Sequence, residues 1–141
     1  MSEPRRVVVG VDGSTCSKAA LRWAANYAAD TRAELFAVTV WNSPTSYGWA
    51  LVPEAEGLPE RHAAKVLAGS LDAVFGSERP PGLKSAVLQG HPAAALVAAA
   101  KGADLLVVGR RGRGGSTAAL LGSVSSQCTQ HATCPVAVIR N

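Results

Sequence analysis

The residues best suited to chemistry lie in one stretch. Gly109-Arg110-Arg111-Gly112-Arg113 opens it and Gly122-Ser123-Val124-Ser125 closes it, with two residues between the first and second glycines and nine between the second and third. Gly109 is expected to turn the chain sharply, and Gly112 and Gly122 let backbone N–H groups approach an anion with no Cβ in the way. If Ser123 starts a helix, the N–H groups of Ser123, Val124 and Ser125 have no intrahelical partner and sit at the positive end of the helix dipole. The hydroxyls of Ser123 and Ser125 add donors, and Arg110, Arg111 and Arg113 add charge. Phosphate is the ligand such a loop suits. The spacing alone leaves a second reading open, a flexible glycine-rich loop ending in an ordinary serine cap. It is not a P-loop, because no Gly-Lys-Ser/Thr follows, and a dinucleotide fingerprint would be tighter and would follow the first strand.

Asp12 is a second candidate. It follows Val7-Val8-Val9-Gly10-Val11, and a carboxylate at the tip of a central strand can accept both hydroxyls of a ribose. In Asp12-Gly13-Ser14 it can equally be a turn residue. Val40 can offer its backbone to a base edge or belong to the core, and Trp41 and Trp49 can cover a purine or simply pack. Nothing in the chain is arranged for turnover. His62, His91 and His131 are scattered, and the sequence pattern holds no paired carboxylates, metal-ligand cluster or nucleophile beside a base. No catalytic residue and no metal ligand is therefore expected. Cys16, Cys128 and Cys134 form no Cys-x-x-Cys pair and read as small buried apolar residues.

These residues need a frame to hold them. Arg5 to Val11 is a β-branched run of the kind found in a central parallel strand covered on both faces. Ser17 to Asp30 repeats apolar residues at three and four, with Ser14 or Ser17 as its cap. A strand from Ala33 to Trp41 precedes an aperiodic stretch, Asn42 to Pro59, which reads as a long loop, and helical spacing resumes from Arg61 to Phe75. Strands follow at Leu83 to Gln89, Asp104 to Val108 and Pro135 to Arg140, with helices from Pro92 to about Lys101 and from Ser123 to His131 between them. The order βα, βα, βα, βα, β predicts an α/β fold, a doubly wound five-stranded parallel sheet with helices on both faces, in one domain over residues 1–141. Ligands on such sheets bind beyond the carboxyl ends of the strands, where Asp12, Trp41, Gly90 and Gly109 all sit.

At 141 residues, with 48% hydrophobic and 17% charged, the composition suits one globular core and not a disordered chain. No apolar run approaches the ~20 residues of a membrane span. The N-terminus passes into a strand without a signal-peptide core, so a cytoplasmic protein with no membrane partner is expected. A net charge of +4 raises nucleic acid as a partner. Three arginines inside the glycine loop instead point to a local anion, and no nucleic acid is expected.

Taken together, these motifs resemble the universal stress proteins, and specifically their ATP-binding branch. Its signature, Gly-x2-Gly-x9-Gly-Ser/Thr, is matched by Gly109, Gly112, Gly122 and Ser123 without a gap. The likeness covers nearly the whole chain, through Val8-Val9-Gly10-Val11-Asp12-Gly13-Ser14, Gln89-Gly90-His91-Pro92 and Cys134-Pro135-Val136-Ala137-Val138-Ile139-Arg140. The resemblance implies the strand order 3-2-1-4-5, a Rossmann-like sheet of the adenine nucleotide alpha hydrolase type, with ATP across the ends of strands one and four. Carried over by position, Val11 and Asp12 would hold the ribose side, Val40 the adenine, and Gly109, Arg111, Gly112, Gly122, Ser123, Val124 and Ser125 the phosphates. It also implies a homodimer through the last strand, Val136 to Ile139, whose open apolar edge gives a physical reason for pairing. Two positions depart from the pattern. Arg110 stands where many relatives carry a small residue, and Thr39 where many carry histidine.

Related folds that do chemistry on ATP carry a histidine-rich first loop or an SGGxDS loop, and Val11-Asp12-Gly13-Ser14 is neither. The expected function is thus a dimeric, nucleotide-dependent regulatory module of the stress response. Slow Mg²⁺-dependent ATP hydrolysis and a nucleotide-free dimeric scaffold are the alternatives.

Overall fold

The computed structural model describes residues 5–42, 58–111 and 122–140. Five strands alternate with four helices among them: β1 (Arg6–Gly10), α1 (Thr15–Thr31), β2 (Glu34–Trp41), α2 (Leu58–Phe75), β3 (Lys84–Gln89), α3 (Pro92–Ala99), β4 (Leu105–Gly109), α4 (Ser123–His131) and β5 (Val136–Ile139). The strands form one sheet in the order β3-β2-β1-β4-β5, and every pairing is parallel. Both the α/β class and the strand order expected above are found.

β1 lies in the middle, and Val7, Val8 and Val9 are fully buried. Side chains alternate along a strand, so Val7, Val9 and Val11 enter one apolar layer with Ala20, Leu21, Ala24 and Ala28 of α1 and Leu67 and Leu71 of α2. Val8 enters the opposite layer with Val38, with Ala93 and Leu96 of α3, and with Cys128 of α4. Helices α1 and α2 therefore cover one face and α3 and α4 the other. At the end of the sheet remote from the strand tips, Arg6 closes the structure. Its N–H donates to Asp104 Oδ2 at 2.8 Å and its Nη2 to the Lys101 carbonyl at 2.9 Å.

Several boundaries are sharper than the sequence pattern. Of the two candidate caps for α1, Ser14 is the cap, its Oγ accepting the Ser17 N–H at 3.1 Å. Helix α2 begins at Leu58, three residues before the expected Arg61. Pro59 does not stop it, because a proline in the first turn lacks only an N–H that would have no helical partner, and Glu60 favours the positive end of the dipole. Most of the long loop predicted between β2 and α2, residues 43–57 with Trp49, lies outside the described residues.

Gly109 has a different task from the sharp turn expected of it. It is the last residue of β4, and a Cβ there would lie 2.8 Å from both the carbonyl carbon and the Cβ of Cys16. The first turn of α1 is seated directly on the end of β4, and only glycine leaves room. At Gly10 a Cβ would meet the end of the Leu96 side chain, Cδ1 at 2.9 Å, which can move aside. Gly109→Ala is accordingly expected to destabilise the fold by about 1–3 kcal/mol through overpacking against backbone, and Gly10→Ala by clearly less. Denaturant unfolding of the two variants checks the ranking, and equal losses would contradict it.

Candidate functional site

The chain leaves β1 toward one face of the sheet, into α1, and leaves β4 toward the other, into α4. Between these adjacent strands the tips diverge and leave a crevice, the topological switch point where α/β sheets take their ligands. Val11 and Asp12 stand at the β1 tip, Val40 at the neighbouring β2 tip, and Gly109 to Arg111 at the β4 tip, facing the start of α4. Strands about 4.8 Å apart put the β2 and β4 tips roughly 10 Å apart.

Val11 donates its N–H to the Val38 carbonyl at 2.8 Å. Backbone groups alternate sides along a strand, so the N–H and C=O of Val40 point the same way, toward the Val11–Asp12 turn. Thr39 turns its side chain into the layer beneath α1 and α2, where its hydroxyl is buried with no hydrogen-bond partner among the described residues. On the other side, the Trp41 carbonyl accepts the Gly90 N–H at 2.8 Å. His91, beside it, is the cap residue of α3 but makes no side-chain cap bond, and it is exposed.

The two readings of Asp12 are compatible. Its Oδ1 accepts the Ser14 N–H at 2.9 Å, and its own N–H donates to Ser17 Oγ at 3.2 Å. Gly13 makes this turn with φ of 84°, and a Cβ there would lie 3.1 Å from Val66 Cγ1 of α2. The carboxylate is thus a turn residue whose direction is set before any ligand arrives. Sequence reasoning missed Ser17 as its support, although Ser-x-x-Ser at a helix start was signal enough.

The β4 side is tied at its mouth. Arg110 donates its N–H to the Ile139 carbonyl of β5, and its own carbonyl accepts the Gly122 N–H, each at 2.8 Å. Ser125 Oγ also donates to the Arg110 carbonyl at 2.8 Å, with the Gly122 carbonyl 3.1 Å away. Gly122 caps α4 in an extended conformation, φ −69° and ψ 166°, and offers no side-chain acceptor. The N–H groups of Ser123, Val124 and Ser125 therefore start the helix without a side-chain cap. Ser123 is exposed, Val124 half-buried and Ser125 buried. Nearby, Arg111 is half-buried, and its Nε has no hydrogen-bond partner among the described residues although it is shut away from solvent. An uncapped helix start and an orphaned guanidinium donor fit an anionic group such as phosphate. Gly112 and Arg113 lie outside the described residues, and among those described no three His, Cys, Asp or Glu side chains come together as metal ligands would.

Comparison with known proteins gives a consistent picture. The family model described as universal stress protein family matches residues 3–140. Universal stress protein Rv2005c of Mycobacterium tuberculosis is 38% identical over 152 aligned residues, which cover 100% of this chain and 50% of that protein. The chain thus spans about half the length of the curated relatives it matches. Among solved structures, universal stress protein UspA from Lactobacillus plantarum superimposes with a TM-score of 0.75 at 26% identity, covering 99% of this chain and 100% of that one. A universal stress protein solved in complex with cAMP matches with a TM-score of 0.62 at 28% identity, over 98% of each chain.

All three cysteines are free thiols. Cys16 and Cys128 are buried as expected, whereas Cys134 is half-buried. Burial pushes the Cys128 thiol up to about 11 from its ordinary 9.0, and burial also raises that of Cys134, opposed by the Leu106 N–H. A raised thiol pKa stabilises the fold fully below the unfolded value and is lost as pH climbs through the folded one. Stability is expected to fall as pH rises from about 9 to about 11. In Cys128→Ala the fall should be shallower, as read by urea unfolding across that range, and an unchanged slope would assign the loss to other groups.

Proposed function

The chain belongs to the universal stress protein family, and on that premise we propose that it is a nucleotide-binding regulatory module holding ATP across the tips of β2, β1 and β4. The observation that carries the reading is the start of α4. Gly122 leaves it without a side-chain cap, and Arg111, which follows the Arg110 carbonyl that holds Gly122, has a buried Nε with no hydrogen-bond partner among the described residues. Both ask for an anion, and neither would be needed in a loop that merely connects.

The proposed roles follow from position. Backbone groups of Val40 meet the adenine edge, and Val11 and Asp12 form the ribose side, where a charge-assisted hydrogen bond is worth about 1.5–3 kcal/mol. Gly109 shapes the floor, while Gly112, Gly122, Ser123, Val124 and Ser125, with Arg111, surround the phosphates. The 28% identical relative in complex with cAMP supports an adenine nucleotide as the ligand class. Three arginines, at 110, 111 and 113, favour several phosphates over one, which is the ground for proposing ATP. Any Mg²⁺ would be held chiefly by those phosphates and would neutralise their charge.

Binding without turnover is the reading preferred here. Around the crevice the described residues place no base beside a nucleophile or water site: His91 faces solvent, and the Asp12 carboxylate is engaged in its turn. The open edge of β5, four half-buried apolar residues from Val136 to Ile139, supports pairing with a second copy of the chain. A domain that works by sensing ATP belongs in the cytoplasm, and no described helix is long and apolar enough to cross a membrane. Because the curated relatives are about twice as long, the proposal is made for this domain over residues 1–141.

A ligand that binds only the folded state at roughly 100 times its Kd adds about 2.7 kcal/mol of stability. Thermal unfolding with Mg²⁺ and ATP should show that gain in the wild type. Gly122→Val should abolish it, since φ of −69° suits any residue and the added side chain enters the cradle. A folded wild-type protein that shows no shift rejects nucleotide binding. Steady-state phosphate release that survives repurification and disappears in Gly122→Val would replace the binding module with a slow hydrolase.

A further inference from the structure

Ser125 has the burial and partners of a fastener and not of a ligand donor. Only 2% of its surface is exposed. A serine hydroxyl carries one proton, and this one is directed at the Arg110 carbonyl, 2.8 Å away, with the Gly122 carbonyl as its next acceptor at 3.1 Å. No hydroxyl proton remains for a phosphate. Ser123, by contrast, is exposed at the tip of the helix.

The Arg110 carbonyl has two acceptor lone pairs, and both are used by the far end of the glycine loop, one by Gly122 N–H at 2.8 Å and the other by Ser125 Oγ. The same peptide region is held from behind, because Arg110 N–H donates to the Ile139 carbonyl at 2.8 Å. Gly122 in turn accepts the first helical bond of α4, from Ser126 N–H at 2.9 Å. The exit of β4 and the entry of α4 are therefore joined by two hydrogen bonds on one oxygen, with Gly122 held between them. Removing the hydroxyl leaves Gly122 with a single tie to β4.

We propose that Ser125 is a positioning residue, which fixes Gly122 and the uncapped N–H groups of α4 at the distance from β4 that a nucleotide's phosphate chain requires, without touching the nucleotide through its side chain. This inference rests on the nucleotide reading above and assigns Ser125 a role different from donation to phosphate. It sets apart two parts of the ligand. The phosphate end depends on the fastener, whereas the ribose and base, held at the β1 and β2 tips, do not.

Calorimetric titration of the full chain with ATP and with adenosine tests this separation. Ser125→Ala is expected to weaken ATP binding by about three- to tenfold, the loss of one hydrogen bond, and to leave adenosine affinity unchanged. Ser125→Thr, which keeps the hydroxyl, should restore ATP binding. Amide hydrogen exchange without ligand gives an independent readout, in which the Gly122 N–H exchanges faster in Ser125→Ala than in the wild type. Unchanged ATP affinity, or an equal loss for ATP and adenosine, overturns the proposal, as does unchanged exchange at Gly122. A wild type that binds neither molecule defeats the nucleotide reading itself and this inference with it.

Discussion

A strand with no side chain open to water on either face must be covered twice. Val7, Val8 and Val9 of β1 impose that demand, and the sheet meets it by sending its first two crossovers, α1 and α2, to one face and its last two, α3 and α4, to the other. α1 departs to one side and α4 to the other, so the tips of β1 and β4 are the place where the backbone parts. The crevice is a by-product of burying three valines. Asp12 at the β1 tip and Gly109 to Arg111 at the β4 tip stand at this crevice because that is where the backbone leaves the sheet in two directions.

The helix starts around the sheet show how the same local geometry is put to different ends. Ser14 supplies α1 with a side-chain acceptor, so its first donors are satisfied within the chain. Pro92 at the start of α3 removes one donor altogether. α4 has neither device, since Gly122 has no side chain. The contrast turns on three residues, and of these three starts α4 is the one with neither a side-chain cap nor a first-turn proline, which suits it to an external anion.

Much of this was legible in the sequence, and what was not has a common cause. The valine run of β1, the three-and-four periodicity of α1 and a serine cap at Ser14 or Ser17 are local signals, and all nine elements of the described residues are recognisable from such signals. The strand order came from resemblance to a family, because periodicity says nothing about which strands are neighbours. Gly109 reads as a turn glycine, while its real constraint is the Cys16 backbone, distant in the chain and adjacent in space. Pro59 reads as loop, because a proline's compatibility with a helix depends on where the helix begins. Ser125 looked like one more donor, and only the Arg110 carbonyl beside it shows where its proton goes. Gly112 and Trp49 lie outside the described residues.

The bond between the Arg110 carbonyl and the Gly122 N–H also makes a ring of the intervening chain, with its two ends held 2.8 Å apart across that bond. The Arg110 backbone at its base is a junction, with its N–H committed to β5 and its carbonyl to the start of α4. One residue's backbone sets an edge strand, an inner strand and a helix against one another, so any change that rotates it is transmitted to the sheet's edge and to the helix start at the same time.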